Sequence, residues 1–346
     1  IDADKEKWGR EYCGYTVFSL NEILQYRREA IIIIAMSYQN EINAMKKLSA
    51  YGLKNGEDFF GHRCFLDIYL PIYAAYNCGK VYHKGIVIAP TRKCPLNCKH
   101  CLNFMPYVEK PTDDDISDVK EDLDRLFGCI DYMRLLSIVG GEIFLYYAHK
   151  ELFKYVGEKY RNQIQELTVT TSAILEVPDD ETLELLKKYD FIVNISDYRR
   201  TLPNLANNYS KWIEKLKEHG VQFVQIVDHD WLDLDVFRKE DMWKTEEERI
   251  EHFDACCIPW NFYREGKLWS CSWAGLAVSA GAKEENPCDY FDLHSCTGQG
   301  FDKAKSKELM EFGMGYSEKG YSEMCSKCNG NVTINAFSVP PAIQAS

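Results

Sequence analysis

Residues 91–105 read TRKCPLNCKHCLNFM, and the spacing inside this stretch decides how the whole chain is read. Cys94, Cys98 and Cys101 fall in a C-x3-C-x2-C pattern directly after the apolar run Gly85–Pro90, GIVIAP. A strand that runs into such a loop and is followed by a helix sits at the C-terminal edge of a sheet, where open α/β folds place their ligands. A structural zinc ion asks for four closing ligands. His100 is the available fourth, but its place between Cys98 and Cys101 turns its ring away from a common centre. An iron–sulfur cube held by three thiolates fits the spacing better, because it leaves one iron open to a small molecule.

Outward from this loop the pattern alternates. Strands are expected at Gly85–Ala89, Leu135–Val139, Gln165–Thr171, Phe191–Ile195 and Val221–Val227, with helices near Ile116–Phe127, Ala148–Tyr160, Asp180–Lys188 and Leu205–His219. Repeated strand–helix alternation implies an α/β fold with a parallel sheet, either an open barrel or a doubly wound sheet. Upstream, residues 30–60 read as a buried strand, an amphipathic helix ending near Gly52 and a turn, a Rossmann-like βα fragment without the glycine-rich turn that binds dinucleotides. After Asp228 the periodicity fades into a stretch rich in Cys, Gly, Trp and Tyr, expected to be irregular. Three segments follow: an accessory α/β segment at 1–83, a core at 84–235 and a cysteine-rich domain at 236–346.

The acidic runs Thr112–Asp115 (TDDD) and Thr245–Glu248 (TEEE) open helices with a capping side chain and negative charge against the dipole, and need no ligand to explain them. A net charge of −12 over 346 residues argues against nucleic acid or an anionic membrane as partner. No apolar run approaches the roughly 20 residues that span a bilayer, Ala30–Met36 included, and no export signal opens the chain, so a cytoplasmic protein is expected. The fourteen cysteines are grouped rather than scattered. Outside an oxidising compartment, tight grouping points to metal or redox chemistry.

The run Cys94-Pro-Leu-Asn-Cys98-Lys-His-Cys101 resembles the signature of radical S-adenosylmethionine (SAM) enzymes, and Gly140-Gly141-Glu142 after the next strand resembles their Gly-Gly-Glu motif. The resemblance implies a partial (β/α)6-type barrel in which Cys94, Cys98 and Cys101 hold a 4Fe–4S cluster, whose open iron chelates the methionine amine and carboxylate of SAM. Side-chain-free backbone at Gly140 and Gly141 would let that amine come close. By position, Ser196 at the end of the fourth strand and Arg199 just beyond are cofactor-contact candidates. Thr171 and Ser172 have a weaker claim.

Cys256, Cys257 and Cys271, with Gly266 five residues before the last, and then Cys325-Ser-Lys-Cys328, resemble the auxiliary-cluster domains called SPASM and twitch. This implies one auxiliary 4Fe–4S cluster on Cys271, Cys325, Cys328 and either Cys256 or Cys257. A zinc knuckle is the alternative for the C-x2-C pair. Cys288 and Cys296 could be inert, replace a ligand or donate a hydrogen atom. Cys13, Cys64, Cys78 and Cys129 read as packing thiols, and Trp260, Tyr263, Trp269 and Trp273 as shielding for the iron–sulfur centre.

The expected activity is reductive SAM cleavage to a 5′-deoxyadenosyl radical and hydrogen abstraction, in an enzyme of oxidoreductase or epimerase type. It would dehydrogenate or epimerise a sugar or sugar-nucleotide, free or carrier-linked, with flavodoxin or ferredoxin as electron donor. The alternatives are a maturase of ribosomally made peptides and a non-catalytic iron–sulfur or zinc scaffold.

Overall fold

The computed structural model describes residues 1–2, 4–25, 31–36, 38–227, 230–257, 260–296 and 302–345. The chain divides into two units, Ile1–Leu70 and Pro71–Ser346. In the first, strand Ile32–Ile34, helix Tyr38–Ala50 and strand Phe59–Gly61 make a βαβ unit, the strands parallel with Ile32 opposite Phe59. Ile34, Leu48, Leu53 and Phe59 form its core. The expected strand and helix are thus present, joined by a return strand where a turn was expected; residues 30 and 37 of that stretch lie outside the described residues.

The second unit is built on one long sheet. Its five successive parallel strands are β1 (Ile86–Ile88), β2 (Tyr132–Ile138), β3 (Ile164–Thr171), β4 (Phe191–Ser196) and β5 (Gln222–Ile226). Four helices alternate with them: α1 (Ile116–Cys129), α2 (His149–Lys159), α3 (Asp180–Lys188) and α4 (Ala206–His219). All of these match the sequence reading. In β4 the pleat separates two environments: Phe191, Val193 and Ile195 are fully buried toward the helices, whereas Ile192, Asn194 and Ser196 face a cavity. Helix α4 ends at Gly220, whose φ of 66° supplies the left-handed turn that closes it.

Past β5 the chain crosses back over the sheet. β6 (Asn261–Arg264) lies parallel to β1, with Asn261 opposite Ile86 and Phe262 opposite Val87. A two-residue turn at Glu265 and Gly266, both at positive φ as a hairpin of this type needs, leads to β7 (Lys267–Trp269), and β8 (Tyr290–Asp292) completes that edge. The strand order is therefore β5-β4-β3-β2-β1-β6-β7-β8, with strand Tyr82–His83 also pairing β2. Strand Trp231–Leu232, next after β5, pairs instead with Ser338–Val339.

The C-terminal part is less irregular than its composition suggests. Helices α5 (Glu246–Cys256), α6 (Ser272–Ser279) and α7 (Lys303–Gly313) accompany the strands. Phe262, Trp269, Trp273, Leu276, Ala277 and Met324 form a second apolar core against Val87 and Ala89 of the β1 segment. Fading periodicity there reflects burial of α6 nearly all round, which erases the amphipathic stripe. Cys129, expected as a lone packing thiol, is disulfide-bonded to Cys296, 167 residues away. Among the described residues no helix is long and apolar enough to cross a membrane.

The two acidic runs also differ. Thr245 and Glu248 form a reciprocal capping box at α5, and Asp115 caps α1 by accepting from the Ser117 amide. Asp113 and Asp114 do something else. Asp114 accepts from Arg264 Nε at 3.1 Å and Nη2 at 2.9 Å, and also pairs with Arg92. Asp113 accepts from Thr91 Oγ1 at 2.6 Å and Lys93 Nζ at 2.8 Å. The run clamps the segment that enters the cysteine loop, and Asp114 ties it to β6. Burial pushes the Asp114 carboxyl up, but the Arg264 and Arg92 guanidiniums outweigh it and hold it below the ordinary carboxylate value. Its contribution is therefore present above the unfolded pKa of about 3.9 and lost as pH falls through the lower folded value.

Asp114→Asn, which leaves two half-neutralised guanidiniums behind, is expected to cost about 3–5 kcal/mol in urea unfolding at pH 7. The gap from the parent protein should close as pH is lowered from about 5 to about 2.

Candidate active site

The strands, the cysteine loop and the C-terminal segment enclose a cavity of about 480 Å³. Cys94, Cys98 and Cys101 all line it, as do Gly140, Gly141, Glu142 and Ser196. His100 does not: its ring faces Asp233, 3.7 Å away. Burial pushes the Cys94 thiol up to about 12 and the Cys98 thiol to about 11, and raises Cys101 as well. Three neutral thiols packed together become thiolates when a metal centre binds them.

Gly140 and Gly141 earn their place through the chain itself. A Cβ on Gly141 would lie 2.3 Å from the Lys93 carbonyl oxygen and 2.9 Å from Cys94 Cβ, and one on Gly140 would lie 2.6 Å from Thr91 Cγ2. The Gly141 amide donates to the Thr91 carbonyl at 3.0 Å, and that of Glu142 to the Lys93 carbonyl at 2.8 Å. The end of β2 is thus pressed against the entrance to the cysteine loop, a second reason for the glycines beside approach to a ligand. Asn103 Nδ2 donates to the Gly140 carbonyl at 2.7 Å and holds the loop's other end.

Glu142 is only 2% exposed. Its Oε2 accepts from the Ser172 amide at 3.1 Å and from Ser172 Oγ at 2.9 Å, while Oε1 is buried with no hydrogen-bond partner. Burial, set against these bonds, leaves its carboxyl raised. Thr171 and Ser172 line the same cavity. Arg199 does not: its guanidinium is bound by Asp197 at 2.7 and 2.9 Å and lies over the Tyr209 ring at 4.1 Å.

A second group of thiols lies beside the cavity, since Ser272 and Trp273, the residues after Cys271, line its wall. Cys256 ends α5, Cys271 precedes α6, and Cys325 and Cys328 sit on the turn at Glu323–Ser326 and just beyond it. Burial raises all four thiols, and their mutual proximity adds to it: Cys325 feels Cys271, Cys328 and Cys256. Backbone amides already point at two of the sulfurs, Asn331 N at Cys256 Sγ (3.1 Å) and Gly330 N at Cys328 Sγ (3.2 Å). Cys257 is exposed, at a φ of 48°, with its thiol turned to the Asp254 carbonyl. Among the described residues no three His, Cys, Asp or Glu side chains converge tightly enough for a single metal ion. Thiolates on one tetrahedral zinc stand only about 3.8 Å apart, from a Zn–S length of about 2.3 Å. Of the four aromatics expected as shields, Trp269 and Trp273 pack in the core that contains Cys256, Cys271 and Cys328, Trp260 lines the cavity, and Tyr263 belongs to the main core.

Residues 88–228 match the family model of the Radical SAM superfamily. This stretch is similar to a radical SAM domain. Similar solved structures include Streptococcus suis SuiB bound to S-adenosylmethionine (20% identity, TM-score 0.32, 42% of this chain and 32% of that one). Others are anSMEcpe with bound AdoMet (14%, 0.44, 68% and 81%) and BtrN in complex with AdoMet and 2-DOIA (15%, 0.44, 75% and 100%). The match to SuiB thus spans about a third of that protein's length. No curated protein matches the chain significantly by sequence. The family implies an enzyme that uses a 4Fe–4S cluster and SAM. The residues present fit both: three thiols face one cavity, and the unpartnered Glu142 Oε1 offers a buried acceptor for an ammonium.

Residues 97–99 reveal one partner that the sequence reading missed. Lys99 N donates to the Ile343 carbonyl at 2.7 Å, Asn97 N to Gln344 Oε1 at 2.9 Å, and Gln344 Nε2 to Cys98 Sγ at 3.4 Å. No local signal links positions about 245 residues apart.

Gly141→Ala is expected to force the cysteine loop away from β2. Urea unfolding should register a loss of about 1–3 kcal/mol, accompanied by less iron retained after anaerobic reconstitution.

Proposed function

We propose that Cys94, Cys98 and Cys101 hold the 4Fe–4S cluster of the radical SAM domain, with Gly140, Gly141, Glu142 and Ser196 along the SAM site. Cys256, Cys271, Cys325 and Cys328 hold an auxiliary 4Fe–4S cluster in a twitch/SPASM-like segment, residues 236–346. The reaction is dehydrogenation of a small substrate, sugar-like in size, in the same cavity. The observation that carries this reading is the single cavity itself, lined at one end by three thiols and the Gly-Gly-Glu turn, and elsewhere by Ser272 and Trp273, the residues that follow Cys271.

When bound, the cluster and SAM supply a 5′-deoxyadenosyl radical that takes a hydrogen atom from a substrate carbon. Glu142 Oε1 is placed to accept from the SAM ammonium, and Ser172 keeps that carboxylate aimed. Leu102, Val139, Ile226 and Trp273 give the space between an apolar lining, which suits a reactive carbon centre. Dehydrogenation then requires the substrate to lose one further electron and one proton. The second thiol set beside the wall would hold the cluster that takes this electron, the proton would leave to solvent, and a low-potential donor such as flavodoxin or ferredoxin would resupply the first site.

Epimerisation would need a thiol to return a hydrogen atom inside the cavity. Among the described residues the only cysteines lining it are Cys94, Cys98 and Cys101. Cys288 is exposed and Cys296 is in a disulfide, which supports dehydrogenation over epimerisation.

Anaerobically reconstituted protein under dithionite tests the proposal. Cys94→Ala should reduce 5′-deoxyadenosine release to background. Cys325→Ala should lower iron from about eight to about four per chain, keep SAM cleavage and abolish substrate oxidation. Cys257→Ala should leave iron content unchanged. Cleavage that survives loss of Cys94 would refute the assignment.

A further inference from the structure

We propose that the end of the cavity remote from the thiols is a site for an unphosphorylated, hydroxyl-bearing ammonium compound, with the Glu166 carboxylate as counter-ion and the Thr168 hydroxyl as anchor. This rests on the reading above, in which the thiol end is taken up by cofactor.

The site follows from the pleat of β3. Glu166, Thr168 and Thr170 lie on its cavity face, and Leu167 and Val169 point the other way into the core. At about 3.3 Å per residue, Glu166 lies about 13 Å from Thr170 along the strand, away from the Gly-Gly-Glu turn. Leu135 stands opposite Glu166, and Trp260 is packed against that level, because a Cβ on Gly85 would come within 2.9 Å of its ring and 3.5 Å of Leu135 Cβ. Glu166, Leu135 and Trp260 therefore share one layer, with Trp273 and Leu276 also lining the cavity.

Two unmet demands in this region call for a polar ligand. Thr168 is 6% exposed, and its Oγ1 has no hydrogen-bond partner. Leaving a buried hydroxyl unpaired costs about 1–3 kcal/mol, which a ligand hydroxyl would recover. Glu166 makes no hydrogen bond or ion pair among the described residues.

Charge then narrows the class. Among the described residues that line the cavity there is no lysine, arginine or histidine, and its charged side chains are Glu142 and Glu166. A phosphate or diphosphate entering here would lose its hydration, meet two carboxylates and find no cation. An ammonium gains on every count: it pairs with Glu166 and lies against the faces of Trp260 and Trp273, which attract cations. The sugar-nucleotide option is thereby set aside in favour of an amino-bearing polyol.

Calorimetric titration of the reconstituted protein, with S-adenosylhomocysteine bound, tests this with three probes of one ring size: glucosamine, glucose and glucose 6-phosphate. Glucosamine should bind at least tenfold more tightly than glucose 6-phosphate. Glu166→Gln should abolish at least tenfold of the glucosamine affinity while leaving glucose unmoved, and Thr168→Val should weaken both uncharged and charged sugars. Circular dichroism melts establish that each variant is folded; if Glu166→Gln is not, Thr168→Val and the probe ranking decide. The proposal is overturned if glucose 6-phosphate binds as well as glucosamine, if no probe binds, or if folded Glu166→Gln binds glucosamine unchanged. Release of 5′-deoxyadenosine by the same protein, given S-adenosylmethionine and dithionite in place of S-adenosylhomocysteine, reports separately on the thiol end, so glucosamine binding without cleavage would sink the cofactor assignment and spare this one.

Discussion

The close approach of two backbone segments, Gly140–Glu142 and Thr91–Cys94, is the constraint on which the site depends. Two glycines without Cβ atoms allow the end of β2 to lie against the carbonyl of Lys93, and two amide–carbonyl hydrogen bonds hold it there. From that contact follow the placement of Cys94 beside Glu142 and the turn of the Glu142 side chain toward Ser172. Asp113 and Asp114 hold the same segment from the opposite direction through Thr91, Arg92 and Lys93. The three-thiol loop is thus braced by protein contacts at both ends, as a preorganised site requires.

The second organising feature is the register of β6 against β1. Parallel pairing of Asn261 with Ile86 places the C-terminal hairpin on the β1 edge of the sheet rather than beyond β5. Ser272 and Trp273 are consequently carried to the wall of the cavity, Cys271 lies just before them in the second apolar core, and that core closes over Val87 and Ala89. The Arg264–Asp114 pair locks this arrangement to the entrance of the cysteine loop, so the two thiol groups are mechanically linked. A buried, multiply bonded ion pair of this kind serves geometry more than net stability.

The strands and helices of the α/β core were legible because each follows a strong local period, and the first thiol triplet because its spacing lies within one loop. Which of Cys256 and Cys257 is buried was not. Adjacent residues at a helix end point in different directions, and only the left-handed turn at Cys257 sends its thiol outward. Arg199 looked available as a carboxylate partner, yet Asp197 two residues earlier already holds it. The TDDD run looked like helix capping, which is true of Asp115, while its two preceding carboxylates are engaged by side chains twenty or more residues away or beyond β5. Glu166 did leave a trace: the polar parity of positions 166, 168 and 170, set against apolar Leu167 and Val169, marks a face that is not core.

The sequence by itself determined the β/α alternation and the three-cysteine loop at a strand's C-terminal edge, since these depend on neighbours a few residues apart. Tertiary structure alone decided that Cys256, Cys271, Cys325 and Cys328 are buried while Cys257 is exposed, that Cys129 joins Cys296, that residues 343–345 pair with the loop at 97–99, and that one cavity holds two carboxylates and no cation among its described lining. Such facts arise from contacts between segments as much as about 245 residues apart, and the energy of a long-range contact leaves no periodic imprint on either partner.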